Sequence, residues 1–268
     1  MLKFLSAMLL LVWPLSGLAA ELTMQGELTQ GSLIRGSLIG GSQLKLNNKP
    51  IALSSNGHFA FGFNRDAELK NTLSWLDEKG KQHSKDLVIS SREYDIQRIE
   101  GVEGKYVSPP PEVTKRIQQD NAQIGKARQN NDQRIDFMQD FIWPAQGPIS
   151  GVYGSQRVFN GTPKNPHYGV DVAGPTGTPV YAPADGIVTL YVSDMYYSGG
   201  TMIIDHGMGV SSTFLHLSAA TVEQGTVVKQ GQLVAKIGAT GRVTGAHLDW
   251  RINWFGERLD PALLVPKR

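Results

Sequence analysis

The chain has 268 residues, 40% of them hydrophobic and 19% charged, with a formal net charge of +2. Such a composition allows two compact domains or one large one and excludes an intrinsically disordered chain. The mild basicity, without runs of Lys or Arg, gives no footprint for nucleic acid, and a chain without cysteine can have neither disulfides nor a lipoprotein anchor.

In chain order, Lys3 supplies a short positive start, residues 4–15 are apolar, and Gly17, Ala19 and Ala20 offer a small-residue cleavage site. This pattern predicts a signal peptide over residues 1–20 and a periplasmic or cell-envelope destination. Pro14, Ser16 and Gly17 hold the apolar run below the roughly 20 residues that span a bilayer, so no membrane span is expected after cleavage. Residues 21–104 read as a β domain. Short apolar runs at 33–34, 44–46, 51–53, 59–63, 73–76 and 87–89 are separated by Gly40-Gly41, Asn47-Asn48 and Asn56-Gly57 turn signals. Phe59, Phe61 and Phe63, at period two, are expected to fill one face. Six or seven such strands predict an immunoglobulin-like β-sandwich acting as a scaffold.

Residues 105–140 form a linker. Ser108, Pro109, Pro110 and Pro111 make a stiff break. A helix is predicted from Glu112 to about Gln139, with Val113, Ile117, Ile124 and Ala127 as its apolar stripe. Docking on a neighbouring domain explains that stripe; a partner-binding coiled coil is the alternative. Residues 141–268 are rich in Gly, Val and Pro, with predicted strands near 178–182, 186–191, 200–204, 210–215, 227–228 and 233–237. They read as a second all-β domain, so the fold class is mainly β.

Four of the six histidines, His167, His206, His216 and His247, fall in this last domain. His167 and Asp171 are four apart, and Pro166 and Gly169 argue against a helix there, so on extended chain both point to one face. His206 and His216 belong to neighbouring strands joined by a glycine turn. His247, Asp249 and Arg251 alternate with apolar Leu248, Trp250 and Ile252. Any one of these histidines alone reads as a surface or hydrogen-bonded residue. As a set with even spacings they point to a metal site, since imidazole and carboxylate are the ligands Zn²⁺ takes when a position stays open for water.

At this level of detail the sequence resembles the lysostaphin/LytM-type zinc endopeptidases, which are peptidoglycan hydrolases. The resemblance runs from about 141 to 264. It rests on His167-x-x-x-Asp171, the Thr213 to Ser218 segment around His216, and the glycine-rich approach from Gly238 to His247-x-Asp249. It implies a LytM-type, duplicated-hybrid-motif-like β-sheet domain. It also implies His167 and Asp171 as zinc ligands and His216 and His247 as catalytic imidazoles acting on the water and the oxyanion.

The third ligand position falls on Asp249, where the family has His. Two carboxylates would offset more of the ion's charge and leave its water less acidic. Harder ligands admit Mn²⁺ beside Zn²⁺, or no metal, and Arg251 can pair with Asp249 in competition with an ion. Tyr153 and Tyr168 are candidates for substrate contact or oxyanion support, or for packing. The implied partner is the peptide stem of peptidoglycan. The alternative is a catalytically silent domain that binds peptidoglycan or regulates another envelope hydrolase or division protein.

Overall fold

Alternation of apolar and polar residues in the first third of the chain builds two small antiparallel sheets. The structure is a computed structural model and describes residues 20–100 and 111–268. The expected signal peptide, apart from Ala20, and the expected break at 108–110 lie outside the described residues. Strands β1 (Glu21–Gln25), β2 (Leu33–Ile39), β3 (Gly41–Leu46), β4 (Lys49–Pro50), β5 (His58–Gly62), β6 (Lys70–Asp77) and β7 (Gln82–Val88) form one sheet in the order β1-β2-β5 and a second in the order β4-β3-β6-β7.

Between the sheets lie Ile34, Leu38, Leu44, Leu73, Leu87 and all three of Phe59, Phe61 and Phe63. The phenylalanines stack at 5.9 Å (Phe59 on Phe61) and meet edge-on at 5.5 Å (Phe61 with Phe63). Asn47 and Asn48, at φ 49° and 66°, make the two-residue turn between β3 and β4. The run at 51–53 is irregular instead of a strand, although the Ile51 N–H still bonds to the Leu44 carbonyl at 2.8 Å. The pairing defines a two-sheet sandwich and gives no further support to an immunoglobulin-like connectivity.

Strand β8 (Ile96–Ile99) leaves the sandwich, and the chain resumes at helix α1 (Pro111–Ala127), where Pro111 takes the first helical position, as its fixed φ favours. Ile124 and Ala127 pack on Leu190, Met195 and Ile203. Asp120 accepts the Tyr196 N–H at 2.8 Å, and Arg116 pairs with Asp194. The docked residues are the C-terminal half of the predicted stripe. The helix stops at Ala127 and not near Gln139. Asn130, Asn131 and Asp132 follow, side chains that compete with helical hydrogen bonds. Asn130 and Arg134 instead bond to Asp205.

The remaining strands are β9 (Ile149–Gly151), β10 (Gln156–Phe159), β11 (Thr162–Pro163), β12 (Val170–Ala173), β13 (Pro179–Tyr181), β14 (Gly186–Met195), β15 (Gly199–Asp205), β16 (Val210–Ala220), β17 (Val227–Val228), β18 (Leu233–Ile237), β19 (His247–Trp254) and β20 (Glu257–Leu259). Strands β8, β10 and β11 form a small sheet of their own, with β8 parallel to β10. The large sheet runs β17-β14-β15-β16-β19-β12-β9, with β13, β18 and β20 paired off this path. One face is apolar: Phe214, Leu248, Trp250 and Ile252 are fully buried. This core also takes in Leu33 and Ala60 of the sandwich, so the two modules share packing. Among the described residues, no helix is long and apolar enough to cross a membrane.

His206 lies on the apolar face, not with the other three histidines. Its ring sits edge-on to Phe141 and bonds to the Asp185 carbonyl at 2.7 Å and to Ser212 Oγ at 2.9 Å. Burial lowers its pKa to about 4, against a smaller opposing effect of the Asp185 carbonyl. The folded chain therefore resists protonation that the unfolded chain accepts from about pH 6.5 downward, and stability falls between pH 6.5 and 4 by up to about 3 kcal/mol. Asp205, raised to about 6 mainly by burial, acts with the opposite sign in an overlapping window. Urea unfolding of wild type against His206→Gln across pH 4–7 isolates the histidine; parallel curves would refute the assignment.

Candidate metal centre

Strands β12 and β19 run antiparallel with Asp171 directly opposite Asp249 and Ala173 opposite His247. Side chains opposite one another share a face. The period-two pattern of β19 therefore puts His247, Asp249 and Arg251 on the face away from the core, as the sequence predicts. His167 precedes β12 in irregular chain. Its backbone is fixed to the 154–155 turn by Gly154 N–H to His167 O and His167 N–H to Ser155 O, both 2.8 Å. Its Nε2 comes within 3.1 Å of Asp171 Oδ1 and 3.5 Å of Asp249 Oδ2.

His216 arrives from β16 in a left-handed conformation, φ 64°, which a non-glycine residue adopts only when its surroundings enforce it. Its N–H bonds to the Ser198 carbonyl at 2.9 Å, and its ring lies 4.9 Å from that of His247. His247 Nε2 is 3.8 Å from Asp171 Oδ1. The structure thus brings together all five predicted site residues.

The three imidazoles share one arrangement. Nδ1 faces a main-chain carbonyl in each: Val152 at 3.2 Å for His167, Thr240 at 2.9 Å for His216, and Gly245 at 2.9 Å for His247. A carbonyl only accepts, so each ring carries a proton on Nδ1 and turns Nε2 inward. Two glycines make room for the carboxylates. A Cβ at Gly151 would overlap Asp171, and one at Gly169 would overlap Asp249 Oδ1 and lie 2.6 Å from the Trp250 carbonyl oxygen. Because the obstacles at Gly169 include backbone, Gly169→Ala is expected to destabilise the chain by about 1–3 kcal/mol through forced backbone shifts, read as a lowered urea midpoint.

Asp249 is buried, 3% exposed. Burial opposes its charge, but the Arg251 guanidinium, with His167, outweighs burial and holds the carboxyl well below the usual carboxylate range. The clamp is two-pronged: Arg251 Nε to Oδ1 at 2.9 Å and Nη2 to Oδ2 at 2.5 Å. The pairing anticipated for Arg251 is therefore formed. For His167, burial works to lower the pKa, yet the adjacent Asp171 and Asp249 carboxylates raise it to about 10. A point between these carboxylates favours positive charge. Burial lowers His216, whose ring is mostly enclosed.

One ligand atom from each of His167, Asp171 and Asp249 lies within 4.8 Å of the others. Zinc bonds of about 2.0–2.1 Å in a tetrahedron put ligand atoms roughly 3.3 Å apart, and the 3.1 Å and 3.5 Å separations match that spacing. His167 Nε2 and Asp171 Oδ1 are both buried and make no hydrogen bond despite their proximity. Two polar atoms aimed past one another at a common point suit a cation. Asp249 suits it less well, since Arg251 already engages both its oxygens. Its Oδ2 still faces His167, so the donor set fits a divalent ion whose third ligand has an arginine behind it.

Of the two tyrosines, Tyr153 is 3% exposed and donates its hydroxyl to the Arg258 carbonyl at 2.7 Å, which makes it a packing residue. Tyr168 is half-buried beneath the Arg258 guanidinium, 5.5 Å from its ring centre.

The domain that carries His167, Asp171, His216 and His247 is also the part of the chain matched in comparisons with known proteins. Residues 165–261 match peptidase family M23. The peptidoglycan DD-endopeptidase ShyA of Vibrio cholerae is 34% identical over 165 residues, which is 59% of this chain and 37% of that protein. The DD-carboxypeptidase/endopeptidase Mpg of Neisseria gonorrhoeae is 40% identical over 95 residues, 35% of this chain and 22% of that protein. A crystal structure from Pseudomonas aeruginosa assigned to the M23 peptidases is 26% identical, covers 89% of this chain and 95% of that one, and superposes with a TM-score of 0.67. The C-terminal part of the chain thus carries a peptidase family M23 domain over residues 165–261. The chain spans well under half the length of the curated relatives it matches.

Proposed function

We propose that this protein is a cell-envelope metalloendopeptidase that hydrolyses peptide cross-links of peptidoglycan. Zn²⁺ is held by His167, Asp171 and Asp249, and His216 and His247 are the catalytic imidazoles. The observation that carries this reading is the convergence of three inward Nε2 atoms on a pair of facing carboxylates. The relatives named as peptidoglycan endopeptidases support the substrate class, and the signal-like N-terminus supports a periplasmic location.

When bound, the ion would polarise the scissile carbonyl and acidify a water. The chain's own residues do the rest. His216, kept neutral by burial, is suited to accept a proton at Nε2, and its Nδ1–H bond to Thr240 fixes the ring for that role. His247, adjacent and likewise anchored through Nδ1, stabilises the developing oxyanion once Nε2 is protonated. Arg251 offsets the additional negative charge that Asp249 brings relative to an imidazole ligand.

Metal analysis of the purified mature protein, paired with digestion of cross-linked muropeptides, tests this reading. One metal per chain and chelator-sensitive cleavage are expected. Protein that is metal-free, and inactive after addition of Zn²⁺ or Mn²⁺, would overturn it. That result would favour a second reading, a silent domain that binds peptidoglycan or regulates another wall hydrolase, for which the specific observation is the Arg251 clamp on Asp249. Under the second reading Asp249→His restores zinc binding, measurable by calorimetry.

A further inference from the structure

The polar face of the large sheet does not end at the metal-ligating cluster. Beyond Asp249 on β19 come Arg251 and Asn253, each with a neighbour on the same face: Thr213 opposite Arg251, and Ser211 and Arg258 on either side of Asn253. Arg128, the first residue after α1, reaches onto this face and donates from Nη2 to Thr213 Oγ1 at 2.9 Å. Three guanidinium groups are thereby gathered around one buried carboxylate, Asp249, which Arg251 already holds. Among the described residues, neither Arg128 nor Arg258 has a carboxylate within ion-pair distance. Burial and the other two arginines all push Arg128 down; burial and Arg251 do the same to Arg258.

The carbonyl end of α1 offers Arg128 a partial negative charge. Arg258, on a strand hairpin, has no such help, only the face of Tyr168. Polar atoms on this face are also left without partners: Arg128 Nε, Ser211 Oγ and Asn253 Oδ1, in residues that are 8%, 2% and 0% exposed. Buried polar groups of native proteins are nearly always paired, and concentrated cationic charge with so little counter-charge is costly unless a ligand completes it. Arg258 and the outer edge of Arg251, 22% exposed, remain reachable from solvent.

We propose that Arg258 and Arg251, with Tyr168 beside them and Arg128 behind, form a carboxylate-binding subsite next to the metal centre, which takes the free carboxyl end of a peptide. A planar two-oxygen anion matches the guanidinium fork. This rests on the hydrolase reading only in identifying the bound carboxylate with the substrate's; the subsite itself needs neither metal nor turnover. If both hold, the peptide's carboxyl terminus lies on the Tyr168 side of the cut, away from His216 and His247.

The test is titration of the full mature protein with N-acetylglycine, and with N-acetylglycinamide as the uncharged twin, at constant ionic strength set with chloride. It is followed by the NMR signals of the arginine Nε–H groups and by calorimetry. N-acetylglycine is expected to shift the Arg258, Arg251 and Arg128 signals saturably, and the amide is not. Arg258→Gln should weaken binding by about tenfold or more, as loss of a charge-assisted hydrogen bond does. Arg258→Lys, which keeps the charge and serves if the glutamine variant folds poorly, should retain part of the affinity. Equal response to acid and amide, tighter binding of inorganic phosphate than of N-acetylglycine, or unchanged affinity in both Arg258 variants would each overturn the proposal. Because no metal is added, failure here leaves the hydrolase reading intact, and failure of hydrolysis leaves this result intact.

Discussion

Replacing Arg251 with Gln is expected to cost about 3 kcal/mol of stability, at the lower end of what breaking a buried ion pair costs. The asymmetry of the pair sets that figure. Asp249 is nearly inaccessible and loses both prongs of its clamp, so its charge stays in low dielectric with His167 as its one remaining ion-pair partner and Arg128 and Arg258 beyond ion-pair distance. The His167 imidazolium offsets part of the loss, which keeps the cost from the top of the range.

The reverse truncation, Asp249→Asn, strands a cation with 22% of its side chain in solvent. Arg251 can recover hydration, so the cost should be smaller, about 1–3 kcal/mol. The double variant Asp249→Asn/Arg251→Gln removes both charges and should be more stable than Arg251→Gln alone, with a coupling on the order of 1–3 kcal/mol. Urea unfolding of the four proteins measures the cycle. A coupling near zero would mean that the clamp seen in the structure does not hold Asp249 in solution, and Asp249 would then be free to ligate without a competitor.

How much of this was readable beforehand divides along a physical line. The face of β19 was legible because alternation of Leu248, Trp250 and Ile252 with His247, Asp249 and Arg251 needs only the two-residue period of a strand. The small sandwich was legible for the same reason, in Phe59, Phe61 and Phe63. What escaped depended on backbone or on contacts distant in sequence. Nothing local marks His216 as left-handed, since the carbonyls that hold it belong to Ser198, in the turn between β14 and β15, and Thr240, in the loop after β18.

His206 looks like a site histidine by composition, and only the strand register assigns it to the core face with Ser212. The carbonyls of Val152, Thr240 and Gly245 that fix the imidazole tautomers have no side-chain signature at all. The early end of α1 was foreshadowed by Asn130, Asn131 and Asp132, a signal outweighed by the helix formers before it. Arg128 and Arg258 stood out in no motif, because their meaning lies in sharing a sheet face with Arg251.

His216→Gln and His247→Gln are each expected to lower kcat by about 10²–10⁴-fold, the range for a positioned general acid or base, while the protein still binds one metal ion. Neither residue is required to hold the ion in the proposed set, and Gln approximates the size of the ring without its titratable nitrogen. The double variant should be little worse than the more impaired single variant, because a proton acceptor and an oxyanion donor that serve the same transition state fail as a unit.

His167→Gln should behave differently. The Nε2 it removes is the donor nearest both carboxylates, at 3.1 Å from Asp171 and 3.5 Å from Asp249, so metal stoichiometry and activity should fall together. Metal analysis beside muropeptide digestion separates the two classes. If His247→Gln also loses the metal while Asp249→Asn keeps it, His247 is the third ligand. The Asp249–Arg251 pair is then a charge-neutral wall of the site, and His216 is left as the only imidazole free to move a proton.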